Sequence, residues 1–287
     1  MTNDTPAGAP ADLFIALAAL VDEHYILLDV APEYAHRIRE HADALSCSMP
    51  DIDATNAALH RLVPDRHLSL RRPTASAAGQ HRGAPPAGGI NRLEHLDDGV
   101  CVVAIHPVFT GPVQARAYLR AAAQLAAPAE GLVLDLRRCY GGDTNTAALI
   151  HGWLLGPEPV RIGRFEHRGR PSTDYTSDPS LGWHFRGPVR VLTSSTTFSG
   201  GEDLAYVLQS LGRARVIGEQ TAGGAHPVEH FSLPGGQICQ IPVARSVIDA
   251  TGTNWEATGV TPDTTCSAQT ALDHAIAELT THAASPK

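Results

Sequence analysis

Ser199 lies in Phe198-Ser199-Gly200-Gly201-Glu202, between a short apolar stretch, Val189 to Leu192, and a helical pattern. Leu204, Val207, Leu208 and Leu211 share one helical face, and Gly212 is a stop signal. A serine at such a junction sits among free backbone N–H groups and the positive end of a helix dipole, both of which favour developing negative charge. Gly200 and Gly201 leave the backbone open to a close approach. That pattern suits a serine nucleophile, and it equally suits an ordinary serine N-cap.

A serine nucleophile needs a base, and the base needs an orienting group. Among 15 histidines, His67 stands beside Asp65 and Ser69 at a helix-to-strand junction, and His226 in Gly-Gly-Ala-His-Pro is its rival. Gly141 and Gly142 follow a strand pattern, where their amides could face an oxyanion or simply make a turn. Glu256, in Asn-Trp-Glu-Ala-Thr-Gly, could orient a histidine or be a solvated loop carboxylate.

The elements that must position these groups follow from periodicity. Residues 1–10 read as a disordered tail. Helical spacing covers 11–24, 32–45 and 53–62, with Asp51 or Asp53 as a cap for the last, so 11–63 reads as a small helical subdomain. From 64 to 287 the pattern becomes a core domain. His67 to Leu70 alternates like a strand, and 71–90 reads as a loop or flap rich in Pro, Gly, Ala and Ser. Strands are expected at 100–105, 131–137, 189–192 and 214–218. Helices are expected at 111–127, 146–155, after Ser199, and at 271–279. A hairpin is expected over 229–243, with 156–188 a long polar excursion. Repeated strand–helix alternation predicts an α/β fold with a mainly parallel sheet covered on its faces.

Composition narrows the function classes. The 287 residues are 43% hydrophobic, enough for a core, and the net charge of −8 with no basic run argues against a nucleic-acid partner. Five scattered cysteines without a C-x-x-C pattern argue against a disulfide framework or a cysteine zinc site. Walker A, G-x-G-x-x-G, H-E-x-x-H and G-x-S-x-G patterns are missing, so no cofactor and no metal are expected. The apolar run from Leu13 to Val21 is short and flanked by Asp12 and Asp22, and the first residues carry no basic n-region. These features predict a soluble, cytoplasmic protein with no membrane partner.

Five segments in order resemble one family. They are Asp65-Arg-His67, Leu134-Asp-Leu-Arg with Gly141-Gly-Asp143, Val191 to Asp203, Gly218 to Pro227, and Gly252 to Asp263. Together they are similar to the tail-specific or C-terminal-processing serine peptidases, family S41. The nearer likeness is to the branch with interphotoreceptor retinoid-binding protein modules and tricorn-like members. The resemblance implies a ClpP/crotonase-like core, with Ser199 as nucleophile, His67 as base and Glu256 as orienting carboxylate. It also implies an oxyanion hole from the amides of Gly200 and Gly141.

Three departures accompany it. The family's Ser–Lys dyad lacks its lysine: the matching position is Gly224, and the only lysine is Lys287. Cys139 and Tyr140 replace an asparagine and a glycine usual in the Asp-Leu-Arg motif. Neither a PDZ domain nor an export signal is expected. A Ser–His–Glu hydrolase acting through an acyl-enzyme on a peptide or small acyl substrate follows. The alternatives are an acyl-transfer, esterase or cyclase activity on a small molecule, and a non-catalytic binder of a hydrophobic ligand on the same scaffold.

Overall fold

The computed structural model describes residues 10–49, 51–71 and 86–283. The expected tail falls almost wholly outside them, as does most of the 71–90 loop. The chain forms two compact units. The first takes the described residues of Met1–His81 with Phe165–Thr173 and His226–Ser246, and the second takes Arg82–Arg164, Asp174–Ala225 and Val247–Lys287.

The first unit begins with helices α1 (Pro10–His24), α2 (Ala31–Glu40), α3 (Ala42–Ser48) and α4 (Ile52–Leu62). The helix expected over 32–45 is therefore two. The chain leaves helical dihedrals at His41, whose φ is −106° and ψ 13°, and the His41 ring bonds the Arg37 carbonyl at 2.9 Å. Asp51 is the cap of α4, accepting from the amides of Asp53 and Ala54 at 3.0 and 3.2 Å. Apolar faces of these helices bury Phe14, Leu17, Val21, Ile38 and Leu59 against Cys239 and Ile241. The latter lie in an antiparallel sheet formed by β1 (Ser69–Arg71) and two strands named below, the expected hairpin.

In the second unit the strands are β2 (Ile90–His95), β3 (Val100–Ile105), β4 (Gly131–Asp135), β7 (Val189–Thr193), β8 (Ala214–Gly218) and β12 (Thr264–Thr265). Between β4 and β7 the chain makes β5 (Arg161–His167) and β6 (Arg170–Thr176). After β8 come β9 (Val228–Ser232), β10 (Ile238–Pro242) and β11 (Ala244–Ile248). The small antiparallel sheet runs β1-β10-β9, a second runs β11-β5-β6, and the six-stranded sheet runs β12-β8-β7-β4-β3-β2. Within the last, only β2 is antiparallel to its neighbour.

Strands β3 and β7 are buried at every residue, as a parallel sheet covered on both faces requires. Helix α8 (Ala271–Ala283) lays Ala271, Ala275 and Leu279 on Val102, Val133, Leu192 and Ile217. Helices α5 (Pro112–Ala126), α6 (Thr144–Leu155) and α7 (Gly200–Ser210) pack in succession, α5 on α6 and α6 on α7. Helix α6 is buried from Thr146 to Leu154, so it is apolar nearly all round rather than striped. The mixed α/β architecture with a mostly parallel central sheet agrees with the expectation. Several strands escaped it: β2, the β5–β6 hairpin inside the supposed excursion, β11 and the two-residue β12. The outer strand β6 is exposed at every residue but Tyr175, so no apolar alternation marks it. Among the described residues no helix is long and apolar enough to cross a membrane.

Candidate active site

Ser199 is the residue before α7 and takes φ 52° and ψ −122°. It is one of three non-glycine residues at positive φ among those described. Such a conformation costs about 1–3 kcal/mol and persists only where the surroundings enforce it. Here they do. The Phe198 amide donates to the Cys139 carbonyl at 3.0 Å, the Asp203 amide to the Ser199 carbonyl at 2.9 Å, and the Ser199 amide to Glu202 Oε2 at 2.8 Å.

Glu202 was not singled out by sequence reasoning, yet it organises the turn. Its side chain is fully buried. Oε1 accepts from Thr221 Oγ1 and the Gly223 amide at 2.5 and 2.6 Å, and Oε2 also accepts from the Gly224 amide at 2.8 Å. Burial raises its carboxyl above the ordinary glutamate range, and the four donated bonds pull the other way. The signal was present: Ser-x-x-Glu before an apolar helical run is the capping-box spacing. A second acid in the same turn, Asp203, accepts from the Tyr175 hydroxyl at 2.7 Å, and its Oδ2 lies 2.9 Å from Nε2 of the buried His151.

Gly141 abuts this turn. It has φ +112°, and a Cβ there would stand 2.9 Å from Ser199 Cβ and 3.0 Å from the Gly200 nitrogen. A Cβ on Gly200 would meet the Phe109 ring at 2.6 Å. Glycine at both positions is therefore a requirement of close approach. Among the described residues the N–H groups of Gly141, Gly142 and Gly200 donate to no protein acceptor. Free amides beside a serine at a helix N-terminus are the elements of an oxyanion site.

Cys139, one of the departures in the Asp-Leu-Arg segment, is buried, and burial pushes its thiol up to about 12. It is a neutral thiol facing the Gly141 carbonyl at 3.7 Å, while its own carbonyl holds Phe198. Tyr140, the other departure, is 53% exposed.

Glu256 is half-buried in the loop before β12. Its Oε2 accepts from the Ala225 amide at 2.6 Å, and the preceding Trp255 donates its indole N–H to the Gly224 carbonyl at 2.7 Å. The carboxylate thus sits at the segment leading into His226.

His67 belongs to the other unit and is 5% exposed. Its amide donates to Asp65 Oδ1 at 2.9 Å, an Asx-type turn that fixes the backbone. Asp65 Oδ2 accepts from the Tyr25 hydroxyl at 2.8 Å and lies 3.3 Å from His226 Nδ1. Burial alone would raise the Asp65 carboxyl. The bond and charge of His226, then His67 and the Tyr25 bond, hold it below the ordinary aspartate range. Burial is also the main reason the His67 imidazole falls to about 4; the Asp65 charge opposes this, and His226 and Arg71 reinforce it. Of the five residues expected in the site, Ser199, Gly200, Gly141 and Glu256 lie in one unit and His67 in the other.

The profile of peptidase family S41 matches residues 100–266, more than half of the chain. Over 125 residues the chain is 34% identical to a carboxyl-terminal-processing protease from Picosynechococcus, covering 41% of this chain and 27% of that protein. Over 141 residues it is 29% identical to tricorn protease homolog 1 from Streptomyces coelicolor, covering 47% of this chain and 12% of that one. It therefore spans well under a third of the length of either relative. A putative peptidase from Parabacteroides merdae has a similar fold, with a TM-score of 0.68 at 20% identity, over 95% of this chain and 97% of that one. So has the photosystem II D1 C-terminal processing protease, with a TM-score of 0.56 at 16% identity over 95% and 97% of the two chains. The chain belongs to peptidase family S41, a family of serine-type peptidases.

Proposed function

We propose that this chain is a serine hydrolase that cleaves a peptide or amide bond through an acyl-enzyme. Ser199 attacks the carbonyl, His67 takes its proton and returns it to the leaving group, and Glu256 orients the imidazole. The amides of Gly141 and Gly200 hold the tetrahedral oxyanion, and water then releases the acyl group. One observation carries the reading. Ser199 is held at positive φ at a helix N-terminus, against a glycine turn whose amides are unspent on the protein. A Ser–Lys dyad is set aside because no lysine other than Lys287 exists.

A second reading exchanges the histidines. His226 has Asp65 at its Nδ1, the relation of a base to its orienting carboxylate, whereas burial pulls the His67 imidazole down to about 4. Fluorophosphonate labelling of the wild type and of Ser199→Ala, His67→Ala and His226→Ala tests both. The first reading expects labelling of the wild type, lost in Ser199→Ala and His67→Ala and kept in His226→Ala. Loss in His226→Ala with retention in His67→Ala assigns the base to His226. An unlabelled, well-folded wild type overturns the hydrolase.

A further inference from the structure

In the second unit, an open cleft of about 450 Å³ lies at the carboxyl ends of β3 and β4, lined by Asn91, Arg92, His106, Asp135, Arg137 and Arg138. Ligands of α/β sheets commonly bind outside the carboxyl ends of the strands, and this volume suits a small molecule. None of the residues assigned above to attack, proton transfer or oxyanion binding lines the cleft.

Its charges do not balance. Arg137 is consumed by Asp135, through Nε to Oδ1 at 2.8 Å and Nη2 to Oδ2 at 2.6 Å, and its Nη1 donates to the Ala268 carbonyl. Arg92 lies 3.6 Å from Glu94. Arg138 is exposed and, among the described residues, has neither an ion pair nor a hydrogen bond. Partial burial, then the nearby Arg138 charge, hold His106 below the usual histidine range, so it is neutral at pH 7. One uncompensated guanidinium thus faces the cleft, among neutral hydrogen-bonding groups on Asn91, His106 and Gln269.

We infer that this cleft is a binding site for a carboxylate carrying a single negative charge, anchored by Arg138. A guanidinium matches a carboxylate in a planar, two-bond fork. A doubly charged phosphate would bring a second negative charge beside Asp135, with only Arg92, already 3.6 Å from Glu94, to meet it. The carboxylate is either the terminus of a peptide or a free organic acid. The cleft shares its walls with the nucleophile loops. Ser194 Oγ donates to the Arg137 carbonyl at 2.6 Å, Phe198 to Cys139 two residues on, and Gly141 abuts Ser199.

The test is an NMR shift titration of the full chain with N-acetylglycine, N-acetylglycinamide and propionate. Saturable binding of N-acetylglycine, none of the uncharged amide, and an affinity at least about tenfold weaker in Arg138→Gln are expected, the size of one charge-assisted contact. Ser199→Ala should bind as the wild type does, which separates this site from the proposed hydrolysis. N-acetylglycine binding much tighter than propionate assigns the site to peptide termini, and equal binding assigns it to free acids. Equal binding of acid and amide, undiminished affinity in Arg138→Gln, or no saturable binding overturns the inference. Arg138 is exposed and holds no ion pair or hydrogen bond among the described residues, so its variant is expected to fold.

Discussion

The turn at Ser199 and the turn at His67 are built by opposite means. The first has a local centre: Ser199 sits at positive φ and Glu202, three residues on, accepts its amide, while Cys139, Thr221, Gly223 and Gly224 brace the turn through backbone and hydroxyl groups. The second depends on distant residues. Asp65 fixes the His67 backbone locally, but its other oxygen serves Tyr25, 40 residues upstream, and faces His226, 161 residues downstream. A nucleophile can be presented by backbone geometry, which short segments encode. The protonation state of a base is set by burial and charge, which only assembly of distant segments supplies.

The sharpest break of that comparison is Ser199→Ala. It should reduce probe labelling and any hydrolysis by at least about 10³-fold, as removal of a nucleophile does, without altering circular dichroism. Gly141→Ala should slow labelling about 10²-fold, because a methyl at φ +112° collides with Ser199 and displaces the Gly200 amide. Glu202→Gln should destabilise the fold by about 3 kcal/mol in urea unfolding. Both oxygens accept N–H or O–H donors, so the new NH2 opposes a donor in either orientation.

The His67 turn gives pH signatures. With the folded imidazole near 4 against 6.5 for the free side chain, the base stays neutral well below pH 6.5. Under the first reading, labelling should hold nearly constant to about pH 5 and fall toward 4. A midpoint near 6.5 would break the burial argument. The sign for stability follows from proton uptake. Between about 6.5 and 4 the unfolded chain binds the proton and the folded chain does not. Stability is therefore full above 6.5 and declines as pH falls, by at most about 3 kcal/mol for this group. Tyr25→Phe should be the mildest change. It removes one donor from Asp65, costs about 1 kcal/mol, and leaves Ser199 labelling within a few-fold of wild type.

Much of the fold was legible because its elements announce themselves over short windows. The mainly apolar strands β3, β4, β7 and β8, the Gly212 stop and the Pro-Gly-Gly hairpin are local signals. The β5–β6 hairpin was not legible, since exposed strands carry no apolar alternation. Nor was the break at His41 within α2–α3, where the helical apolar spacing runs on through a turn.

The sequence by itself determined the sheet type, the serine at a helix entrance, the glycines that crowd it and the absence of a lysine for a dyad. Each depends on residue type and spacing within a few positions. Tertiary structure decided the rest. It gave Glu202 four donors, turned Cys139 into a neutral brace, put Asp65 at His226 Nδ1 and lowered the His67 imidazole. It also left Arg138 facing a cleft with its charge unmatched. Desolvation and charge pairing arise from segments far apart in the chain, and no local pattern records which ones meet.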